Sequence, residues 1–164
     1  VSCGGRLTPG QTECGDSDGH PLSCEGTGQD GEYQLGFSRF TDHGDFTVTD
    51  NSTGLMWTQD ANLGELMNWE EALDYVKIET YEYTDWRLPN IRELKSIYDS
   101  ISFDDGIMPM EPHPFINVQS STYWSSTTYV RFRNLAWDLS MSSGSLTGYN
   151  KVLPNYVWPV RGGH

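Results

Sequence analysis

The stretch that most constrains this chain is Asp85-Trp86-Arg87-Leu88-Pro89-Asn90-Ile91-Arg92-Glu93-Leu94. Proline disfavours the helical region at Leu88 and keeps the chain extended there. Asn90 followed by Glu93 is a capping box, in which each side chain satisfies an orphan backbone N–H, so a helix is predicted to start at Ile91. Ile91, Leu94, Ile97, Tyr98 and Ile101 then recur at the three-and-four spacing of an amphipathic face pinned to a core. Arg87 sits beside the start of that helix and is expected to pair with a carboxylate inside the fold, because a buried guanidinium needs one.

A second capping box, Asn68 with Glu71, predicts an earlier helix whose apolar positions are Trp69, Ala72, Leu73 and Val76. Glu70, Glu71 and Asp74 near its start suit the positive end of the helix dipole. Before it, Phe46-Thr47-Val48-Thr49 and Leu55-Met56-Trp57-Thr58 flank the turn residues Asp50 to Gly54 and read as a hairpin, with Phe46, Val48 and Trp57 facing inward. After a proline-bearing linker come strand patterns. Tyr123 to Thr127 is one short strand, and Leu135, Trp137, Leu139 and Met141 alternate with Ala136, Asp138, Ser140 and Ser142 as in a half-buried strand. Leu146 to Tyr149 is expected to pair back, and Tyr156 to Arg161 to form a last strand with Pro159 at an edge or bulge.

The first 38 residues differ: they are rich in Gly, Ser, Asp and Thr and read as an extended arm, leaving 39–164 as the folded domain. Cys3, Cys14 and Cys24 all lie in the arm. Cys14 and Cys24 bracket a turn-rich loop and read as a disulfide contributing roughly 2–3 kcal/mol, which implies an oxidising compartment and hence a secreted or surface location. Cys3 is left as a free thiol, a cross-link to another chain or a lipid-attachment site. A chain starting at Val1, with no initiator Met, is expected to be a processed or trimmed product. No apolar run is long enough for a membrane span.

The formal charge of −13 excludes a general nucleic-acid binder, which needs a basic footprint. Its distribution is uneven. Residues 1–119 carry a net −16, whereas 120–164 carry a net +3, with Arg131, Arg133, Lys151 and Arg161 against Asp138 alone. Zinc is not expected, with no Cys-x-x-Cys and four scattered histidines. Asp16, Asp18, Asp30, Asp42, Asp45 and Asp50 leave calcium open as a possible ligand, although no complete calcium loop is present and Asp-Gly pairs suit turns.

Several of these residues together carry a resemblance. Phe46 to Trp57, Trp69-x-x-Ala72-x-x-Tyr75, Asp85-Trp86-Arg87-Leu88-Pro89-Asn90-x-x-Glu93-Leu94, Tyr123 to Thr127 and Pro159-Val160-Arg161-Gly162-Gly163 resemble the Lcl C-terminal domain family of bacterial collagen-like adhesins and secreted proteins. The resemblance implies an α+β, C-type-lectin-like fold, two helices against a small twisted antiparallel sheet with long loops, related to formylglycine-generating enzymes. On that reading Trp86, Arg87 and Trp124 are scaffold. The related enzymes use a late cysteine pair to bind copper, and this chain has no cysteine after Cys24. Nor does it carry a nucleophile triad, a phosphate loop or a His-Glu-x-x-His helix, so it is not expected to be an enzyme.

In such folds the late strands and their loops build the working surface, which here is the basic region. The candidate ligand-binding residues are Tyr129, Arg131, Arg133, Asn134, Tyr149, Asn150, Lys151 and Asn155. They offer planar stacking, forked hydrogen bonding and amide groups suited to glycans or a protein epitope. The expectation is an adhesin-like, secreted or surface-displayed binding module using the loops of 128–155. The alternative is a structural subunit of a homo-oligomeric or filamentous assembly joined through the N-terminal arm.

Overall fold

The computed structural model describes residues 14–22, 39–77, 81–101 and 113–162. The chain divides into two units, Val1–Arg39 and Phe40–His164. In the first, strands β1 (Cys14–Gly15) and β2 (Pro21–Leu22) pair antiparallel around a turn. Asp16 Oδ1 closes that turn by accepting from the Asp18 and His20 amides, both at 2.9 Å. Cys3 and the expected Cys14–Cys24 bridge lie outside the described residues.

The second unit is α+β, as expected. Its strands are β3 (Phe40–Asp42), β4 (Thr47–Asp50), β5 (Leu55–Thr58), β6 (Leu66–Met67), β7 (Thr122–Thr128), β8 (Leu135–Ser140), β9 (Leu146–Asn150), β10 (Asn155–Tyr156) and β11 (Val160–Arg161). Helices α1 (Trp69–Tyr75) and α2 (Ile91–Ile101) lie between β6 and β7. A four-stranded sheet runs in the order β11-β5-β4-β3, and a five-stranded sheet in the order β6-β10-β7-β8-β9. Among the described strands each pairing is antiparallel except β10 with β7, and an isolated bridge between Asp60 and Ile116 is also parallel.

Both helices start where their caps dictate. Asn68 Oδ1 accepts from the Glu70 and Glu71 amides while Glu71 accepts from the Asn68 amide. Asn90 Oδ1 receives the Arg92 and Glu93 amides, and Glu93 Oε2 accepts the Asn90 amide at 2.8 Å. The same Glu93 carboxylate takes both prongs of Arg87, at 2.8 and 2.7 Å, and Arg87 also donates to the Gly162 carbonyl at 2.9 Å. The carboxylate beside it raises the Arg87 pKa further, against the effect of burial. Backbone bonds between Arg87 and Val160 (2.9 and 3.0 Å) tie this cap to the end of the chain.

The five-stranded sheet is packed on both faces. Tyr123 and Leu139 face a large cluster with Leu94, Ile97, Tyr98 and Ile101 of α2, joined by Val48, Trp57 and Trp158 from the other sheet. Trp124 and Ala136 face a smaller cluster with Ala72 and Val76 around α1. Full burial of each such side chain contributes roughly 1.5–3 kcal/mol, so α2 is held chiefly by its apolar face.

Three expectations are corrected. Phe46 does not face inward. Its backbone has φ +67°, its side chain is exposed, and its ring stacks on Tyr81 at 5.5 Å. The strand pattern at 135–141 is not half-buried: Ala136, Asp138, Leu139 and Met141 are all buried, because both faces of the sheet are covered. The last strand is not continuous. Val157, Trp158 and Pro159 carry the chain from the five-stranded sheet to the edge of the four-stranded one, dividing it into β10 and β11. Pro159 has no amide to lend a ladder, so the break falls where it costs no hydrogen bond.

Candidate functional site

At one end of the five-stranded sheet, the β7–β8 connection (129–134) and the β9–β10 connection (151–154) lie side by side because β8 pairs with β9 up to Leu135 and Asn150. The Lys151 amide donates to the Asn134 carbonyl at 3.0 Å and extends that pairing into the loops. The first loop is two consecutive turns: the Phe132 amide reaches the Tyr129 carbonyl, and the Leu135 amide the Phe132 carbonyl. Tyr129 anchors it from below. Its ring lies 4.6 Å from Trp137 and 6.2 Å from Phe132, over a floor made by Gly148 of β9. A Cβ at Gly148 would sit 2.8 Å from the Tyr129 ring, so the absence of a side chain is what admits the ring.

The candidate residues separate into two groups. Arg131, Arg133 and Asn134 are exposed at the loop tip, with the Arg131 guanidinium 6.0 Å from the Phe132 ring. Tyr149 is partly exposed on the opposite face of the sheet, 5.8 Å from Trp124. Asn150 holds the second loop, accepting the Val152 amide on its side chain and the Leu153 amide on its carbonyl. Lys151 points inward instead of toward a ligand. Its ammonium lies 3.7 Å over the Trp69 ring and donates to Thr128 Oγ1 at 3.0 Å. Trp69 completes the strap, with its amide on the Lys151 carbonyl and its indole N–H on the Ser125 carbonyl.

Asn155 belongs to the interior. It is 3% exposed, donates to Asp138 Oδ2 at 3.1 Å and accepts from Thr122 Oγ1 at 2.6 Å. Thr147 Oγ1 donates to the other Asp138 oxygen. Burial pushes the Asp138 carboxyl up despite these two donors. This knot joins β7, β8, β9 and β10 beneath the loops. It is a support, and Asn155 leaves the surface set.

Four residues that sequence reasoning did not single out complete the surface: Val130, Phe132, Val152 and Leu153 are 89%, 53%, 75% and 42% exposed. For Val130 and Phe132 the signal is the Val-Arg-Phe-Arg alternation, which reads equally as a strand. Exposed aliphatic and aromatic side chains beside arginines form a surface that gains from excluding water around a partner.

For metals, Asp16, Asp18 and His20 each bring one ligand atom within 4.8 Å of the others. These groups are exposed, and Asp16 already serves the turn. Asp42, Asp45 and Asp50 likewise accept amides two residues on, at Gly44, Thr47 and Ser52, as turn caps do. Among the described residues no helix is long and apolar enough to cross a membrane.

Two comparisons bear on the chain. The Lcl C-terminal domain family matches residues 46–161. No curated protein matches it.

Proposed function

The chain belongs to the Lcl C-terminal domain family, and from that premise we propose that it is a non-catalytic binding module of C-type-lectin-like fold, secreted or displayed at the cell surface. It recognises a partner through the two late-strand loops, 129–134 and 151–154. One observation carries this reading: the loops are braced together on a covered sheet and present Val130, Arg131, Phe132, Arg133, Val152 and Leu153 to solvent. Arginine and aromatic side chains are enriched at protein–protein interfaces, which favours a protein epitope. Arg133 and Asn134 add the forked donors and the amide that a glycan partner would use.

The test is binding of the full chain to a glycan array and to extracted surface proteins, at low and physiological salt, beside Arg131→Ala with Phe132→Ser. Retained ligands that the double variant loses support the module. Unchanged binding by the variant refutes these loops as the site.

The separate unit Val1–Arg39 favours a second reading, a structural subunit joined through its N-terminal arm. Light scattering of the full chain against one lacking residues 1–24 separates the two. Oligomers that vanish with the arm, beside an absence of ligands, select the subunit.

A further inference from the structure

The five-stranded sheet ends in β9 (Leu146–Asn150), whose one strand neighbour is β8. Where its backbone groups point follows from the ladder. The Ser140 amide donates to the Ser145 carbonyl at 2.9 Å and the Lys151 amide to the Asn134 carbonyl at 3.0 Å, so both flanks of the β8–β9 pairing are hydrogen-bonded positions. Such positions alternate along an antiparallel ladder, which turns the backbone of Thr147 and Tyr149 toward β8 and that of Leu146, Gly148 and Asn150 outward. Among the described residues, the Leu153 amide on the Asn150 carbonyl is the one hydrogen bond to those outward groups.

An open edge is a template for another strand, and soluble proteins ordinarily guard theirs with charge, proline, a bulge or brevity. The other outer strands of the two sheets are guarded: β6 and β11 are two residues long, and β3 has three residues and ends in Asp42. β9 is not. It has five residues, none charged and none proline, and an unbroken register with β8. Leu146 and Tyr149 stand exposed on it.

Amides and carbonyls spaced two residues apart are answered by those of another strand. Charge selects which strand. The chain is −13 overall while residues 120–164 carry a net +3, so two copies approach with least repulsion through this last region, where β9 is the neutral edge. About a twofold axis at Gly148, two β9 strands run antiparallel. The Gly148 residues then exchange amide-to-carbonyl bonds, and each Asn150 amide meets the Leu146 carbonyl of the second copy. Thr147 falls opposite Tyr149, a β-branched residue against an aromatic one. The same axis sends the exposed Arg131 and Arg133, which lie at the Asn150 end of the pairing, to opposite ends of the joint. A parallel pairing would set these like charges side by side. We propose that the β9 edge joins two copies of this chain, antiparallel about Gly148, into one continuous sheet. Because the same patch meets itself, the contact closes at two copies. The pair displays two late-loop tips and so makes the binding module bivalent, a consequence that rests on those loops being its site, as the pairing itself does not.

Sedimentation of the full chain from roughly 10 µM to 1 mM reads the mass, and amide hydrogen exchange by NMR on the same samples reads the edge. A concentration-dependent doubling of mass is expected. The Leu146 and Gly148 amides should slow by about tenfold or more across that range, while those of Thr147 and Tyr149, bonded to β8, stay protected throughout. Leu146→Lys puts a charge on an exposed edge position, opposite Asn150 and next to Lys151 of the second copy. It should weaken association about tenfold while the remaining amide spectrum stays native. Arg131→Ala with Phe132→Ser, at the late loops, should leave association unchanged. A chain that is monomeric up to roughly 1 mM overturns the proposal. So does a dimer whose Leu146 and Gly148 amides exchange freely, since it is joined elsewhere, through the arm or the loops. Association of Leu146→Lys as tight as that of the wild type overturns it as well.

Discussion

Replacing Glu93 by Gln tests the junction on which the second unit turns. The Glu93 carboxylate does two things at once: it caps α2 by accepting the Asn90 amide, and it receives the Arg87 fork. Glutamine retains a carbonyl for the cap, since either residue completes a capping box. What it loses is the charge opposite Arg87, together with one of the two parallel N–H···O bonds. The side chains are 29% and 14% exposed, so water screens the pair in part. Removing one member of a fully buried pair costs about 3–5 kcal/mol, and an exposed pair contributes about 1 kcal/mol or less. This geometry sits between them, and about 2 kcal/mol is expected. For a domain of this size that loss lowers Tm by about 4–8 °C. Urea unfolding of the wild type, Glu93→Gln, Arg87→Met and the double variant closes a thermodynamic cycle. The double variant should be about as stable as Arg87→Met alone, giving a coupling near 2 kcal/mol. Additive losses, or a Glu93→Gln loss below about 0.5 kcal/mol, would refute the claim that this pair anchors the cap.

Other outcomes follow from the same contacts. Lys151→Met removes the ammonium from the Trp69 face and from Thr128, and should cost about 1–2 kcal/mol in urea unfolding, where a loss within error would show the strap to be idle. Gly148→Ala forces the Tyr129 ring off its floor. It should cost about 1–3 kcal/mol and blunt ligand capture by the late loops, both read in one preparation by calorimetry and a binding assay. Asp138 has a folded pKa above its unfolded value, so the native state holds its proton to higher pH. Stability from this group is therefore present below the unfolded value and lost as pH rises through the folded one. Asp138→Asn should flatten the fall in Tm over that window, whereas an unchanged pH profile would show that the carboxyl does not carry it.

What was legible in the sequence was local. Both capping boxes are satisfied within four residues, so Asn68 with Glu71 and Asn90 with Glu93 could be read without knowing the fold. Arg87 had to find a carboxylate, but the choice of Glu93, six positions on, over the nearer Asp85 was not local, because Asp85 is taken by Arg161 from the end of the chain. Non-local choices were not readable. Phe46 begins an alternating pattern, yet φ +67° turns its side chain outward onto Tyr81, a partner thirty-five positions later. Asn155 looked like any polar loop residue. Its burial is decided by Asp138, a carboxylate that strand periodicity places on a face and that only the pairing of β8 with β9 encloses. For the candidate surface, charge marked Arg131 and Arg133, but the exposure of Val130 and Phe132 depends on Tyr129 occupying the space over Gly148.

The sheet switch at Val157 to Pro159 has a consequence for biosynthesis. β10 is wedged between β6 and β7, and β11 completes the edge beside β5, so the final strands close on segments from the first part of this unit. Pairings of such long sequence separation are slow to form, because loop-closure entropy is lost before any contact compensates. Trp158, central to the larger cluster, cannot arrive until nearly all of the unit has left the ribosome. A nascent chain therefore exposes its apolar strands until synthesis of this unit is almost complete, and a product truncated before Trp158 lacks the ring that fills the larger cluster.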